Sequence, residues 1–406
     1  MVIDVDIDNR DQVYNKYLQA SVNGVENKPS LLYLGLKTSP YKDEISHYPS
    51  RLTQKPDHKN LIPFTKADAT FKPYPIVGQL PEIDEQGLNF LHEDIKEACI
   101  CIGSFSEGEF KAKWLGRNAL SNQEFWSGTK IVPILNILSR LNTKLPSTNL
   151  DHCNLRGTDQ QGNQIDVPVI DLIRDIISYD DNIATSNSLG AMLKRFSPQQ
   201  DLENWLKSLT GNKELIFRGR YGEKPFIEQP EIFDQTTGQV ILTADPKPPE
   251  WQSNTISAYD LNRMISMLGW HHYLPQTSRL PGAQWHSIES VIKAMGSDPA
   301  RLADLAIQEL GLQTEIDSTV IISKLGNGVT KLRYRTETVY TALVQFVKRS
   351  HKNLDQPAKL ITLSMALRGA RVLEPRDFNR EVLELDARMV AEVTEILHRA
   401  VMADWI

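Results

Sequence analysis

Hydrophobic positions recur along this chain with two different spacings, and the changes of spacing divide it. Residues 1–85 show little of either. Prolines at 29, 40, 49, 56, 63, 73, 75 and 81 interrupt most patterns, and only residues 30–37 (SLLYLGLK) read as a strand. This part is expected to be an irregular extension wrapping the main domain. From residue 86 the signals sharpen. Residues 87–97 suit a short helix. Residues 98–105 and 109–115 read as two strands joined by a turn at Ser106, Glu107 and Gly108. Residues 127–138 carry Ile131, Ile134, Leu135 and Leu138 at helical spacing. A second helix is expected after Asp166 as N-cap, with Ile170, Ile173, Ile176 and Ile177 as its apolar stripe. A third spans about 183–196 and stops at Pro198. Residues 197–256 are loop-rich, and residues 258–268 and 287–295 look helical.

The period then changes to two. Residues 319–325, 334–347 and 360–367 read as strands. The chain closes on a long amphipathic helix with Met389, Val390, Val393, Ile396, Leu397, Ala400 and Val401 on one face. The expected class is α+β. An antiparallel sheet is flanked by N- and C-terminal helices, with an all-helical subdomain inserted at about 127–300 within a domain spanning 86–406.

Composition adds limits. The 406 residues are 40% hydrophobic and 24% charged, as in globular chains. The net charge of -6 and the lack of a basic run with interleaved aromatics argue against a nucleic-acid partner. No run is apolar enough to span a membrane. The start, MVIDVDIDNRD, lacks the basic and apolar regions of a signal peptide, which suggests a cytoplasmic protein, or a periplasmic one if a leader has been removed. Cys99, Cys101 and Cys153 are too few for a disulfide framework and suit buried core positions. His271-His272 lacks metal-site context, and no phosphate-cradling glycine motif occurs, so no metal or organic cofactor is expected. Trp251, Trp270, Tyr273 and Trp285 suit core packing.

Ser127-Gly128-Thr129-Lys130 is an S-x-x-K sequence at the start of an apolar helix. Spacing i, i+3 puts hydroxyl and amine on one face. Burial disfavours the charged amine, and a neutral amine can activate a hydroxyl as a nucleophile. The same pattern at 39–42 and 290–293 lacks this setting. Two further elements follow in order: Asp180-Asp181-Asn182 at a helix junction, and Lys324-Leu325-Gly326 on a strand.

Together these resemble the three motifs of the penicillin-recognising serine hydrolases: S-x-x-K, then S-D-N or Y-x-N, then K-T-G. The resemblance covers about residues 86–406. It implies Ser127 as the acylated nucleophile, Lys130 as its base, and Asn182 in contact with substrate and Lys130. Asp181 would hold the junction. Lys324 would add positive charge near the second motif and the substrate carboxylate. Gly326 would let the substrate approach the strand, and the N–H groups of Ser127 and Asn327 would form the oxyanion hole. The departures are Asp180 in place of the relaying Ser or Tyr, with Tyr179 one residue too early, and Leu325 in place of Thr. A carboxylate at 180 would favour the ammonium form of Lys130. The deacylating Glu has no clear match, although Glu223, Glu228 and Glu231 lie in the right stretch. The expectation is a serine hydrolase acting on an amide or ester, such as a β-lactam, a D-Ala-D-Ala-like peptide or a small ester. The alternative is a catalytically inactive binding module on the same fold. Natural substrate and oligomeric state stay open.

Overall fold

The computed structural model describes residues 8–22, 34–57, 59–63, 69–217, 219–246, 254–330, 334–349 and 356–402. In chain order the helices are α1 (Asp8–Val22), α2 (Leu34–Thr38), α3 (Tyr48–Arg51), α4 (Ile131–Lys144), α5 (Val169–Ser178), α6 (Ser186–Leu193), α7 (Gln199–Thr210), α8 (Ala258–Gly269), α9 (Trp285–Met295), α10 (Leu302–Glu309) and α11 (Phe378–Met402). The strands are β1 (Leu61–Pro63), β2 (Lys72–Pro73), β3 (Ile95–Ser106), β4 (Glu109–Arg117), β5 (Cys153–Thr158), β6 (Gln164–Pro168), β7 (Glu231–Asp234), β8 (Gln239–Thr243), β9 (Ile316–Thr330), β10 (Arg335–Lys348) and β11 (Ala358–Arg371).

The main sheet has seven strands, six of them in the order β2-β4-β3-β11-β10-β9 with β1 off that path. Its path is antiparallel, and β1 pairs in parallel with the start of β11 through Leu61 and Ala358. The β3–β4 hairpin turns through Glu107 and Gly108, both at positive φ, the conformation a two-residue type I′ turn demands.

Period-two burial separates two cores. On β10, Val339, Leu343 and Val347 face the layer of α8 and α4. Tyr340, Ala342, Val344 and Phe346 face α10 and α11, with α1 packed on α11. Helix α8 is buried along its whole length, and Gly269 lets it close onto Leu343. Truncating Leu343 to Ala would cost roughly 2–5 kcal/mol. Cys99 and Cys101 lie on one face of β3, fully buried.

The α+β class is as expected, and the hairpin, the three late strands and the last helix form. Several local expectations do not hold. Residues 87–97 form turns running into β3, because the Arg117 guanidinium binds the carbonyls of Leu88, Leu91, His92 and Ile95 that a helix would have used. Residues 34–38 are helical, and the rest of the stretch expected as a strand lies outside the described residues. Asp166 is not an N-cap. It sits in β6, bonded to Arg156 and Asn154 from the neighbouring strand, and α5 starts at Val169. The loop-rich stretch holds α7 and the β7–β8 pair. With β5 and β6 these strands make a second sheet in the order β6-β5-β7-β8, so the insertion is not all helical. Neither α1 nor α10 was expected.

Candidate active site

Ser127 sits in a 3-10 turn, Trp126–Lys130, that leads into α4. Strand β9 runs directly beneath it. A side-chain carbon added at Gly326 would lie 2.6 Å from the Ser127 nitrogen and 3.0 Å from that of Gly128. Glycine is therefore required for the strand to approach the start of the helix. The preceding residue, Trp126, holds φ at +42°, an uncommon conformation for a large side chain.

Lys130 is 1% exposed. Its Nζ donates to Ser186 Oγ at 2.9 Å and to Asn187 Oδ1 at 2.8 Å. The Ser186 hydroxyl donates in turn to the Ile176 carbonyl at 2.8 Å. Gly190 leaves room for the Lys130 stem and the Tyr221 ring. Burial lowers the amine to a pKa of about 7, against the carboxylates of Glu223 and Asp181, which pull it up. Asn187 Nδ2 donates to Glu223 Oε1 at 3.1 Å, and the Thr185 hydroxyl donates to the other oxygen. A continuous path thus links the amine to an exposed carboxylate through one amide.

Helix α6 presents this pair because Thr185 is its N-cap, accepting from the Ser188 N–H at 3.2 Å. The junction before it is shaped by buried Asp175, whose carboxylate takes the N–H groups of Asn182 and Ile183, each at 2.9 Å. Tyr179 and Asp181 adopt positive φ there. Asp181 Oδ1 accepts from the Ser186 N–H at 3.3 Å.

Ser127 and Lys130 open into a cavity of about 680 Å³ that is also lined by Trp126, Tyr179, Asp181, Ser186, Asn187, Arg220, Tyr221, Glu223, Asn254 and Asn327. Asp180 and Asn182 are exposed and outside this lining. The amide that meets Lys130 belongs to Asn187, five residues later, because the Asp175-capped loop turns Asp180 and Asn182 to solvent. Lys324 is also outside the lining. It is fully buried, donates to the carbonyls of Ile176 (2.6 Å) and Ile177 (3.1 Å), and sits 3.3 Å from the centre of the Tyr179 ring. The Tyr179 hydroxyl is bonded to the Leu325 carbonyl. Lys324 therefore ties β9 to the end of α5, and its amine is held well below its ordinary pKa by burial and by Lys130, with Asp298 opposing. Gly326 acts against the Ser127 backbone, while Asn327 reaches the cavity.

Of the three glutamates in the 220s and 230s, Glu223 alone lines the cavity. Glu228 lies near Arg195, and Glu231 is in β7. Sequence reading missed Ser186 and Asn187. The signal available was Thr185 followed by a helical run. Trp270 and Tyr273 belong to the aromatic core with Tyr74, Phe105 and Phe110. Trp285 packs on His271 and His272, and Trp251 lies outside the described residues. Among the described residues no three His, Cys, Asp or Glu side chains gather as a metal-holding group, and no helix is long and apolar enough to cross a membrane.

No family model matches the chain, and no curated protein does. Among solved structures, the chain is similar to an ancestral class A β-lactamase at 13% identity and a TM-score of 0.43, covering 78% of this chain and 99% of that one. It is also similar to a β-lactamase from Desulfarculus baarsii at 14% identity and a TM-score of 0.43, covering 75% of this chain and 92% of that one. A class A β-lactamase from Clostridium kluyveri is similar at 10% identity and a TM-score of 0.40, covering 77% of this chain and 98% of that one.

Proposed function

We propose that this chain is a serine hydrolase that forms an acyl-enzyme on Ser127, with Lys130 as the base, acting on an amide or ester. One observation carries the reading. Lys130 is a buried amine, brought by burial to a pKa of about 7, bonded to the neutral oxygens of Ser186 and Asn187, and it opens into the same cavity as Ser127. A neutral lone pair near working pH, in one cavity with a hydroxyl at a helix start, is what activation of a serine draws on.

In this reading Lys130 takes the Ser127 proton as Oγ attacks the carbonyl carbon. The N–H groups of Ser127 and Asn327 receive the oxyanion. The tetrahedral species collapses, and Lys130 gives that proton to the leaving amine or alcohol as its bond to the carbonyl carbon breaks. Glu223, linked to Lys130 through Asn187, then takes a proton from water as that water attacks the acyl carbon; the bond from Ser127 Oγ to the acyl carbon breaks, that proton returns to Oγ, and free acid is released. Asp180, turned to solvent, does not stand against Lys130. Asp181 and Glu223 are the carboxylates that Lys130 feels.

A second reading is a non-catalytic binding module. It draws on the Tyr179 hydroxyl and Lys324 amine, both bonded to backbone carbonyls. Pre-steady-state kinetics separate the two. With a chromogenic ester, β-lactam or D-Ala-D-Ala-type thioester, the hydrolase gives a burst of product equal to the protein present, which Ser127→Ala abolishes. A module binds ligand and gives no burst with any of the three.

A further inference from the structure

Strand β9 carries Gly326 and Gly328 two residues apart, hence on one face. Gly326 lies against the Ser127 backbone. A carbon added at Gly328 would collide with the ring of Trp126. Across the ladder Gly328 pairs with Glu337 on β10. The indole thus crosses β9 where there is no side chain, and its Nε1–H donates to Glu337 Oε2 at 2.9 Å.

Glu337 is fully buried, and its charge is held in place. Oε1 takes Arg335 Nε and Arg368 Nη2, each at 2.6 Å, and Arg368 is bonded in turn to Glu97. The Trp126 carbonyl is fixed separately by Asn254 Nδ2 at 2.8 Å and the Thr129 hydroxyl at 2.9 Å. Ring and carbonyl together pin a residue at positive φ directly before Ser127. A small rotation at Trp126 would turn both the Ser127 N–H and its hydroxyl.

We infer that Glu337 is a positioning residue for Ser127, acting through the indole of Trp126. The inference rests on the acyl-enzyme reading. Glu337 touches neither the hydroxyl nor Lys130; it fixes the backbone from which the hydroxyl projects.

The test is a double-mutant cycle on acylation, read with a chromogenic ester and a fluorophosphonate as probes, with binding and acylation constants measured separately. Trp126→Phe keeps a ring and removes the donor. It is expected to acylate about tenfold more slowly, as a small misaim costs, with the binding constant within about twofold and the pH midpoint unmoved. Glu337→Ala is expected to show the same loss, and the double variant to be no slower than either single. Glu337→Gln, which keeps an acceptor, recovers most of the rate. Trp126→Phe stands alone if Glu337→Ala does not fold. Acylation of Trp126→Phe at the wild-type rate overturns the inference, as does a loss lying wholly in binding or losses that simply add. A wild type that never acylates overturns both the inference and the hydrolase reading; wild-type acylation with an unaffected Trp126→Phe overturns the inference alone.

Discussion

The Nζ of Lys130 lies 2.8 Å from Oδ1 of Asn187, the second residue of α6, rather than against Asn182 in the loop before it. That amide also donates to Glu223, so it orients both the amine and the carboxylate. Asn187→Ala should slow acylation about 10- to 100-fold. Asp180→Ala and Asn182→Ala, at solvent-facing positions, should leave it within about threefold. Single-turnover kinetics on the three variants check the assignment, and a large loss in Asn182→Ala would contradict it.

The pH dependence follows from Lys130. Its amine must be neutral to accept the Ser127 proton, so acylation should rise with pH through a midpoint near 7. Glu223 and Asp181 raise that midpoint, the two carboxylates favouring the ammonium form. Asp181→Asn should therefore move it to lower pH. Rates across pH 5–9 for both proteins test the sign, and an upward shift would count against it.

Glu223 is assigned to the second half-reaction. In Glu223→Gln the acyl-enzyme should form and persist, with deacylation slowed about 100-fold or more. Intact-mass spectra taken over time after mixing with an ester would show the adduct lingering. Turnover at the wild-type rate would remove Glu223 from the mechanism.

Gly326→Ala probes the approach of β9 to the helix start. The added carbon meets the Ser127 nitrogen at 2.6 Å, so strand or helix must move. Because the nitrogen is backbone and the added carbon is fixed directly to the strand, a rotamer change cannot relieve the contact. Acylation should fall at least about 100-fold, the effect of a displacement near 1 Å. A melting scan alongside the kinetics would show whether the fold survives the change.

Stability carries a separate pH signature. Asp386 on α11 is fully buried, with Thr338 donating to one oxygen and the other without a hydrogen bond among the described residues, and burial raises its pKa to about 7. The folded protein therefore holds this proton more tightly than the unfolded chain. The stability it contributes is full below the unfolded carboxyl pKa near 4 and is lost as pH rises through about 7. Asp386→Asn should raise the melting temperature at pH 8 by several degrees and flatten its pH dependence. Unfolding scans at pH 5 and pH 8 read this directly.

Elements set by local pattern were legible in the sequence. The period-two runs of β9, β10 and β11, the Glu107-Gly108 hairpin and the stripe of α11 each bury a face that the sequence alone marks. Ser127 and Lys130, one helical turn apart in the sequence, line one cavity for the same local reason. Features decided by long-range contacts were not. Arg117 draws off the carbonyls of residues 88–95 from 22 to 29 positions away. Asp175 folds the Asp180–Asn182 loop outward, so the motif-like triplet misses the amine while Asn187 reaches it. Lys324 resembled a substrate ligand by order along the chain, yet the carbonyls ending α5 claim its amine.

The most direct measurement is the site of covalent attachment. The protein is treated with an activated fluorophosphonate or a penicillin at pH 8, digested, and its peptides are mapped by mass spectrometry. The account predicts one adduct, on Ser127, and none in Ser127→Ala. An unlabelled Ser127, or an adduct that survives in Ser127→Ala, would contradict it.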